Sequence, residues 1–282
     1  MFVKDLSASF TRKSKSTRKR QGADPLELPS TVLYEKREHI AIITINRPEA
    51  MNSLTMEMLL GIEEAFAEFN ADPDGWVAVF TAAGDKAFSS GLDLKEAAPM
   101  LTGGDSLGFD DTTKRQFSDV YKPIICAVNG FCIAGGMEML LGTDLRIAAE
   151  HATFGLGEVR WGLVPLGGTH IRLPRQIPWA MAMQLLLTGK PIDAQRAYEV
   201  GLVNQVVPAE ELMPTALQLA EKMCKNGPLA MKTAKEIAVR ALELESGFVL
   251  EKALGARVLA SEDAKEGPRA FAEKRPARFT GR

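Results

Sequence analysis

One pattern recurs along the first two thirds of the chain and limits the folds open to it: a short apolar run, a turn with glycine, and then a helix. The runs Ile40–Ile45, Trp76–Thr81 and Ile124–Val128 are almost wholly apolar, as expected for strands covered on both faces. Asn129-Gly130 marks the turn after the third run, and a helix is expected at 137–141. Successive units of this kind predict a layered α/β architecture built from repeated ββα units.

The last quarter of the sequence has a different pattern, because the strand-like runs stop after Val207-Pro208. Apolar residues then recur at helical spacing in three stretches, 210–225, 229–244 and 248–260. A further helix with a tail is expected from Asp263 onward. Helices with apolar stripes and no strands predict an arm that packs on the core or on a neighbouring subunit. We therefore divide the chain into a core at 31–208 and a C-terminal all-helical arm at 209–282.

The chain begins with a basic segment. It contains a cluster of basic residues, Arg12, Lys13, Lys15, Arg18, Lys19 and Arg20, and Asp5 is the only acid among the first 22 residues. Such a segment buries too little apolar area to offset its ordering entropy, so we predict a disordered extension over 1–30. It has neither the apolar centre of a secretory signal nor a clear amphipathic stripe. We interpret it as an unselected extension; an organelle-targeting peptide and a tail for nucleic acid or anionic surfaces are the alternatives.

The charge balance and the spacing of cysteine and histidine argue against several classes of protein. The net charge is -2 over 282 residues, so the chain as a whole is not a polyanion binder, and nucleic acid is not an expected partner. The 3 cysteines and 3 histidines are scattered without ligand spacing, which argues against a metal site and a disulfide framework. No apolar run approaches the roughly 20 residues of a membrane-spanning helix. These features predict a cytoplasmic protein that binds no metal and does not enter a membrane.

Two glycine-rich steps from strand to helix are the first candidates for chemistry. They are Phe88–Leu94 and Gly130–Glu138. The first N–H groups of a helix have no partner inside it, and the helix dipole adds positive potential there. Small residues let a ligand oxygen approach this backbone, so one N–H from each step could bind one thioester carbonyl as an oxyanion hole. Neither step has the spacing of a phosphate loop or a dinucleotide-binding turn.

Two glutamates follow these glycine turns within apolar surroundings. Glu138 comes directly after Gly135-Gly136-Met137, and Glu158 follows the segment 154–157. A carboxylate in an apolar run is costly unless it is paired or functional, and burial raises its pKa toward neutrality. A pKa near neutrality suits proton transfer at pH 7. A single glutamate of this kind more often caps a helix or reaches the surface, so both interpretations stay open at this point.

A series of short motifs runs in order between Ile40 and Lys274. They are Ile45–Pro48, Met51–Leu54, Lys86–Lys95, Ala127–Glu138, Asp144–Arg146, Phe154–Glu158, Gly162–Pro165, Gly167-Gly168, Leu187–Gly189 and Gly201–Asn204. In order and spacing this series resembles the crotonase superfamily, which is the enoyl-CoA hydratase/isomerase family. The resemblance implies a crotonase-type superhelix of ββα units with a C-terminal helical arm that forms trimers.

The resemblance also implies a role for each candidate residue. Leu92 and Gly135 match the two positions whose backbone N–H groups form the family's oxyanion hole. Glu138 and Glu158 match the two catalytic glutamates of the hydratase branch. We expect Glu138 mainly to activate water and Glu158 mainly to protonate Cα, with both holding the water. The positions implied to bind coenzyme A or substrate are Met51, Ser53, Leu54, Ser90, Asp93, Leu94, Lys95, Phe271 and Lys274.

Some of these positions have a second interpretation. Asp93 also suits helix capping, and Lys274 also suits a plain solvated lysine in a basic tail. Gly157 stands where hydratases often have proline, so the loop that carries Glu158 could be looser or differently aimed. The irregular segment 96–119 corresponds to one that lines the acyl pocket in the family, and its sequence names no particular acyl group.

Because both glutamates are present, the resemblance implies an enoyl-CoA hydratase, a lyase that converts a 2-enoyl-CoA to a 3-hydroxyacyl-CoA. Other reactions of the superfamily stay open: enoyl-CoA isomerase, carnitinyl-CoA-type dehydratase or racemase, and feruloyl-CoA-type hydratase-lyase. No cofactor is expected, since coenzyme A is part of the substrate, and a trimer or a dimer of trimers is implied. A nucleic-acid binder that uses the basic tail is the alternative from another class. A peptidase is a further alternative, but the sequence has no set of Ser, His and Asp or Lys at the glycine steps, where that mechanism would need it.

Overall fold

The computed structural model describes residues 26–97 and 114–282. The basic extension predicted at 1–30 lies almost wholly outside these residues, so its expected disorder stays a prediction. The segment 98–113, which is most of the stretch expected to line the acyl pocket, also lies outside them.

The strands form two sheets. They are β1 (Val32–Arg37), β2 (Ile40–Ile45), β3 (Val77–Ala82), β4 (Ala87–Ser89), β5 (Ile124–Val128), β6 (Phe131–Ile133), β7 (Leu145–Ala149), β8 (Thr153–Gly155), β9 (Ile192–Asp193) and β10 (Gln205–Val207). The larger sheet has the order β1-β2-β3-β5-β7-β10, and the smaller has the order β4-β6-β8-β9. From β3 to β8 the strands therefore alternate between the two sheets along the chain. This alternation confirms the α/β superhelix of ββα units.

The helices connect the strands and then make up the end of the chain. They are α1 (Met56–Ala71), α2 (Gly135–Leu141), α3 (Thr169–Gln176), α4 (Trp179–Thr188), α5 (Ala194–Glu199), α6 (Leu212–Met223), α7 (Pro228–Arg240), α8 (Glu245–Leu259) and α9 (Glu262–Ala272). Short 3-10 turns occupy Pro48–Ala50, Glu158–Trp161 and Ala209–Glu211, and a helical turn begins at Leu94. After β10 the described chain is helical, as the change of sequence pattern predicts.

The main core packs one face of α1 against the sheets. Thr55 caps this helix by accepting a 3.2 Å hydrogen bond from the Met58 N–H, which fixes where it begins. Phe66 and Phe69 lie on its buried face, and the Phe66 ring meets Phe80 of β3 edge-on at 5.3 Å. Each large apolar side chain buried in this way contributes about 1.5–3 kcal/mol. The helical spacing of these residues in the sequence therefore corresponds to a real buried face.

The other face of the larger sheet is covered by α6. Ala216 and Ala220 of this helix are buried against a layer that includes Val79 and Ile125. Because both faces of β3 and β5 are covered, these strands have no polar alternation, which is why they appear as continuous apolar runs. The helix lies beyond the boundary predicted at 208, yet it packs on the sheet.

The remaining helices, α7 to α9, carry apolar side chains that face solvent in the single chain. The larger ones are Leu229, Ile237, Val249, Leu250, Leu254 and Phe271, and Leu242 in the turn between α7 and α8 is also exposed. Large apolar side chains exposed on successive helices are typical of surfaces that contact another chain. In the part of the chain that the structure describes, no helix is long and apolar enough to cross a membrane.

Candidate active site

The segments that carry the candidate residues leave the carboxyl ends of three neighbouring strands. In the smaller sheet, β4, β6 and β8 run parallel and side by side. The segments 90–95, 134–138 and 156–158 follow directly after these strands. Because the carboxyl ends of parallel strands lie at the same edge of a sheet, the fold brings the two glycine steps and Glu158 together.

The two glycine steps pack closely against each other. A Cβ on Gly91 would lie 2.7 Å from the Cβ of Ala134, so only glycine fits at this contact. Gly91 has a φ of 92°, and Ala134 has a φ of 51° with a ψ of -120°, which is unusual for alanine. Each of the two residues directly precedes one oxyanion candidate, Leu92 or Gly135. The backbone strain is therefore located where the two amides must be aimed.

The N–H groups of Leu92 and Gly135 are neighbours. The Leu92 nitrogen lies 3.8 Å from the point where a Cβ on Gly135 would stand. Within residues 26–97 and 114–282, neither N–H donates to a backbone carbonyl. Gly135 is the first residue of α2, where an N–H has no partner inside the helix. Two adjacent donors of this kind can stabilise a ligand oxygen that gains negative charge.

A cavity of about 600 Å³, here named the central cavity, collects most of the predicted residues. Its lining includes Met51, Ser53, Leu54, Ser90, Leu92, Asp93, Leu94, Lys95, Gly135, Glu138, Glu158 and Phe271. The segment 163–166 adds a mostly apolar wall. Lys274 is the predicted site residue that does not line it, and its side chain is exposed. An apolar cavity with a few convergent polar groups is the usual form of a small-molecule site.

Glu138 lies in the first turn of α2 and lines the central cavity. Its Oε1 accepts a 2.7 Å hydrogen bond from the Gly167 N–H. Burial raises the pKa of Glu138 above its usual value, while the Gly167 N–H opposes this change by stabilising the carboxylate. The Gly167 N–H is therefore a fixed donor to this carboxyl group.

Glu158 opens the 3-10 turn Glu158–Trp161 and lines the same cavity. Its Oε2 atom is buried and has no hydrogen-bond partner among the described residues. Burial, and to a smaller extent the nearby Glu138 carboxyl, raise the pKa of Glu158 to about 8. Two buried carboxyl groups that interact in this way do not ionise independently. Near neutral pH the pair therefore keeps one proton. Glu158 holds it more favourably than Glu138, because Glu138 has the Gly167 N–H to stabilise its carboxylate.

The two segments implied to hold coenzyme A run side by side. The Ser90 N–H donates to the Met51 carbonyl at 3.1 Å, and the Leu54 N–H donates to the Gly91 carbonyl at 2.8 Å. Met51 has a φ of 55°, so the chain turns sharply just before this contact. The two segments thus form one continuous wall of the cavity.

Asp93 holds its own surroundings in place. Its carboxylate pairs with Arg47 at 2.7 Å and accepts a 3.0 Å hydrogen bond from the Lys95 N–H. The second contact caps the helical turn that begins at Leu94. Arg47 keeps the pKa of Asp93 below its usual value, so this group stays ionised at neutral pH. These contacts explain Asp93 as a structural residue at the cavity wall.

The C-terminal helix α9 reaches the cavity through Phe271. Its ring packs edge-on against Trp161 at 5.0 Å between centroids, and both residues line the cavity. Trp161 is therefore a wall residue rather than a member of the main core. Lys274 lies three residues further on, where its backbone N–H donates to the Phe271 carbonyl at 3.2 Å and its exposed side chain does not line the cavity.

Gln116 is a cavity residue that the sequence analysis did not name individually. It lines the central cavity, and its Oε1 atom is buried without a hydrogen-bond partner among the described residues. A Cβ on Gly167 would stand 2.9 Å from this atom and 2.8 Å from Oε2 of Glu138, so both oxygens flank the same point. Gln116 lies within the irregular segment 96–119 that the resemblance assigns to the acyl pocket, but no motif singles this residue out. Among the residues described, no cluster of His, Cys, Asp or Glu could hold a metal ion.

Comparison with known proteins agrees with this geometry. Residues 35–282 match the profile of a family described as enoyl-CoA hydratase/isomerase. The chain is 42% identical over 259 residues to enoyl-CoA hydratase EchA19 of Mycobacterium tuberculosis, covering 89% of this chain and 96% of that protein. It is 41% identical over 254 residues to (E)-benzylidenesuccinyl-CoA hydratase of Thauera aromatica, covering 89% and 99%. Among solved structures, it superposes on a carnitinyl-CoA hydratase from Mycobacterium avium with a TM-score of 0.81 and 37% identity, covering 90% and 100%.

Proposed function

The chain belongs to the enoyl-CoA hydratase/isomerase family and is a hydratase-type lyase of acyl-CoA thioesters, and we propose that it adds water to a 2-enoyl-CoA to give the 3-hydroxyacyl-CoA. The observation that carries this proposal is the pair of carboxyl groups in one cavity. Glu138 has a fixed N–H donor, whereas Glu158 has a buried oxygen without one. Such a pair can hold one base and one acid at the same time, which addition of water requires.

We propose the following division of roles. Glu138, as the carboxylate, takes a proton from a water molecule while that water attacks Cβ of the enoyl group. The electrons of the double bond move toward the thioester, and its oxygen gains negative charge next to the N–H groups of Leu92 and Gly135. Glu158, as the acid, then donates its proton to Cα. One water is consumed, and the proton that Glu138 took is available to restore Glu158.

The substrate brings its own handle, so we propose that no further cofactor is needed. The polar groups of coenzyme A would meet the wall formed by the segments 51–54 and 90–95, which the paired backbone hydrogen bonds hold together. Phe271 would contact the substrate where α9 closes the cavity. Lys274 is exposed and outside the cavity, so a role in binding the nucleotide end requires a substrate that extends beyond it.

We also propose a homo-oligomer, either a trimer or a dimer of trimers, located in the cytoplasm. The exposed apolar side chains of α7 to α9 support an association through the helical arm. The expected mass in light scattering is three or six times that of the chain, and a monomer at micromolar concentration would contradict the proposal.

The test of the reaction is the loss of ultraviolet absorbance of the conjugated enoyl thioester, with crotonyl-CoA and longer, branched and aromatic enoyl-CoAs. Glu138→Gln and Glu158→Gln should each fold and lose about 10²–10⁴-fold in kcat, the range typical of general acid–base groups. Full turnover in both variants would exclude the proposed roles. No absorbance loss with any substrate, from folded protein that binds coenzyme A, would exclude hydration itself.

A second candidate is dehydration or hydration of a bulkier, polar acyl group of the carnitinyl type. Gly157 favours it, because a Cβ at this position would meet no atom within 4 Å, so the cavity is open beside Glu158. The solved relative from Mycobacterium avium carries the name carnitinyl-CoA hydratase. A kcat/KM that rises from crotonyl-CoA to carnitinyl-type or aromatic substrates would favour this candidate, and the opposite order would favour a short-chain hydratase.

A further inference from the structure

The donor to Glu138 belongs to a glycine turn that is fixed from both sides. Gly167 donates its N–H to Glu138, and the two neighbouring residues bind other groups. The Leu166 carbonyl accepts a 2.8 Å hydrogen bond from Nε of Arg115. The Gly168 N–H donates to Oε2 of Glu251 at 2.8 Å. The groups on both sides of the Gly167 amide are thus held by two side chains from elsewhere in the chain.

The two side chains that hold the turn form a buried ion pair. Arg115 Nε and Glu251 Oε2 are 3.6 Å apart, and each side chain is 1% exposed. The other oxygen of Glu251 accepts from the backbone N–H of His170 at 3.2 Å and lies 3.0 Å from its ring Nδ1. Neither Arg115 nor Glu251 lines the central cavity. The pair therefore does not line the substrate cavity, and it reaches Glu138 in two ways: through the turn, and through the charge of Glu251, which helps to raise the pKa of Glu138.

The turn needs such support because its own sequence provides little rigidity. Gly168 has a φ of 89°, a conformation that suits glycine, and two successive glycines have more backbone freedom than any other pair. A buried ion pair is by itself weak evidence for stability, because apolar residues of similar volume often stabilise as well. The hydrogen bonds of this pair are directed at one turn, which suggests a function in orientation.

We propose that the buried Arg115–Glu251 pair positions the Gly167 amide toward Glu138, so that the helical arm completes the catalytic site. Glu251 lies on α8 of the arm, whereas Glu138 lies on α2 of the core. Arg115 and Glu251 are positioning residues in this scheme. The proposal rests on the role proposed above for Glu138, but the orientation of the turn can be measured without any turnover.

The experiment compares Glu251→Gln with the wild-type protein by hydrogen–deuterium exchange and by enoyl-CoA hydration. The side-chain amide of glutamine cannot accept all the hydrogen bonds that the Glu251 carboxylate accepts. Hydrogen exchange at the backbone N–H groups of Gly168 and His170 should therefore become faster. The kcat should fall about ten- to hundredfold, as expected for a small misplacement of a catalytic group, with KM changed less than about twofold. The matched control is Glu236→Gln, which removes a carboxylate of the arm that pairs only locally with Arg240 and should change neither measurement.

A double-mutant cycle separates positioning from a general loss of stability. If the pair acts through Glu138, Glu251→Gln should have little further effect on the residual rate of Glu138→Gln. The same factor of loss in both backgrounds would overturn the proposal. So would unchanged kcat in folded Glu251→Gln, or unchanged exchange at Gly168 and His170.

Glu251→Asp covers the case in which Glu251→Gln does not fold. It keeps a negative charge opposite Arg115 but is one methylene shorter, so it cannot reach all its present partners. It should show a smaller loss of kcat, and unchanged kcat or unchanged exchange at Gly168 and His170 would again overturn the proposal. If the wild-type protein hydrates no substrate, the proposed reaction fails, and exchange at Gly168 and His170 alone decides whether the pair orients the turn.

Discussion

The two buried carboxyl groups have the same chemistry but different surroundings. Glu138 extends from the first turn of a helix and accepts a hydrogen bond from the Gly167 amide. Glu158 begins a short 3-10 turn after Gly157, and its Oε2 has no partner in the described parts of the chain. A Cβ on Gly167, the donor to Glu138, would lie 2.8 Å from Glu138 itself, whereas a Cβ on Gly157, next to Glu158, would meet no atom within 4 Å.

This difference shows how one fold can give two identical side chains different affinities for a proton. Burial raises the pKa of both groups. At Glu138 the Gly167 N–H opposes this as the second-largest influence, whereas at Glu158 the opposing backbone N–H is its own and has the smallest influence of the three. The shared proton therefore favours Glu158, whose pKa is raised to about 8. Environments that push two pKa values apart identify the base and the acid. Four experiments test whether the comparison holds.

The largest effects should come from removing one carboxyl group at a time while following each half of the reaction separately. Glu158→Gln should abolish the exchange of Cα protons of a bound acyl-CoA with deuterium oxide, a loss of about 10³-fold, because no base or acid is left at Cα. Glu138→Gln should lose hydration by a similar factor but retain measurable Cα exchange. Nuclear magnetic resonance of the recovered thioester measures the exchange.

Equal loss of exchange in both variants would contradict the assignment. In that case the two glutamates act as one unit, and the different surroundings do not divide the roles. Glu236→Gln is the control for a change of charge elsewhere in the chain, and it should exchange Cα protons at the wild-type rate.

The next effect tests the crowded side of the comparison. In Gly167→Ala, the new Cβ would lie 2.8 Å from Cδ and Oε2 of Glu138, so the carboxyl group must move. Gly167 does not have a positive φ, so alanine causes no backbone strain there and the protein should fold. The displaced carboxyl group should lower kcat about 10²-fold. Gly227→Ala is the matched control, since its nearest neighbour would be Ala230 Cβ at 3.8 Å. Wild-type turnover in Gly167→Ala would show that the position of this carboxyl group is not critical.

The third effect is on stability and follows from the raised pKa of Glu158. The folded protein holds this proton more tightly than the unfolded chain, so the stabilisation is complete below the ordinary glutamate pKa and is lost as the pH rises toward 8. Glu158→Gln does not titrate and should gain stability relative to wild type by roughly 2 kcal/mol between pH 6 and pH 9. Urea unfolding at both pH values measures this difference. A constant difference would mean that Glu158 has an ordinary pKa in the folded state.

The sequence was sufficient to predict the elements whose patterns are local. Ile124–Val128 indicates a strand covered on both faces because its burial leaves no polar position, and β5 is covered by the main core and by α6. The spacing of Phe66 and Phe69 indicates the buried face of α1 in the same way. The motif series led to the family because many short segments agree in order. These are the cases in which local sequence and global fold point to the same structure.

What the sequence could not give is contact between distant segments. Nothing in the strand pattern shows that Ala134 and Gly91 touch, because this follows from the pairing of β4 with β6. Gln116 and Glu251 carry no local signal, since each is an ordinary polar residue whose importance depends on which turn it reaches. Their positions depend on tertiary packing, which periodicity does not encode.

The smallest effect tests the open side of the comparison through Gly157→Ala. The backbone at Gly157 has a φ of -85° and a ψ of -1°, which alanine adopts readily, and the new methyl group would meet no protein atom within 4 Å. We expect a stability gain of about 0.4–1 kcal/mol from the less flexible unfolded chain. The kcat for crotonyl-CoA should change less than about threefold, because the methyl group points at space that a short acyl chain leaves empty. Larger branched or aromatic substrates should show a raised KM, and an equal effect on short and bulky substrates would mean that the space beside Glu158 is not part of the acyl pocket.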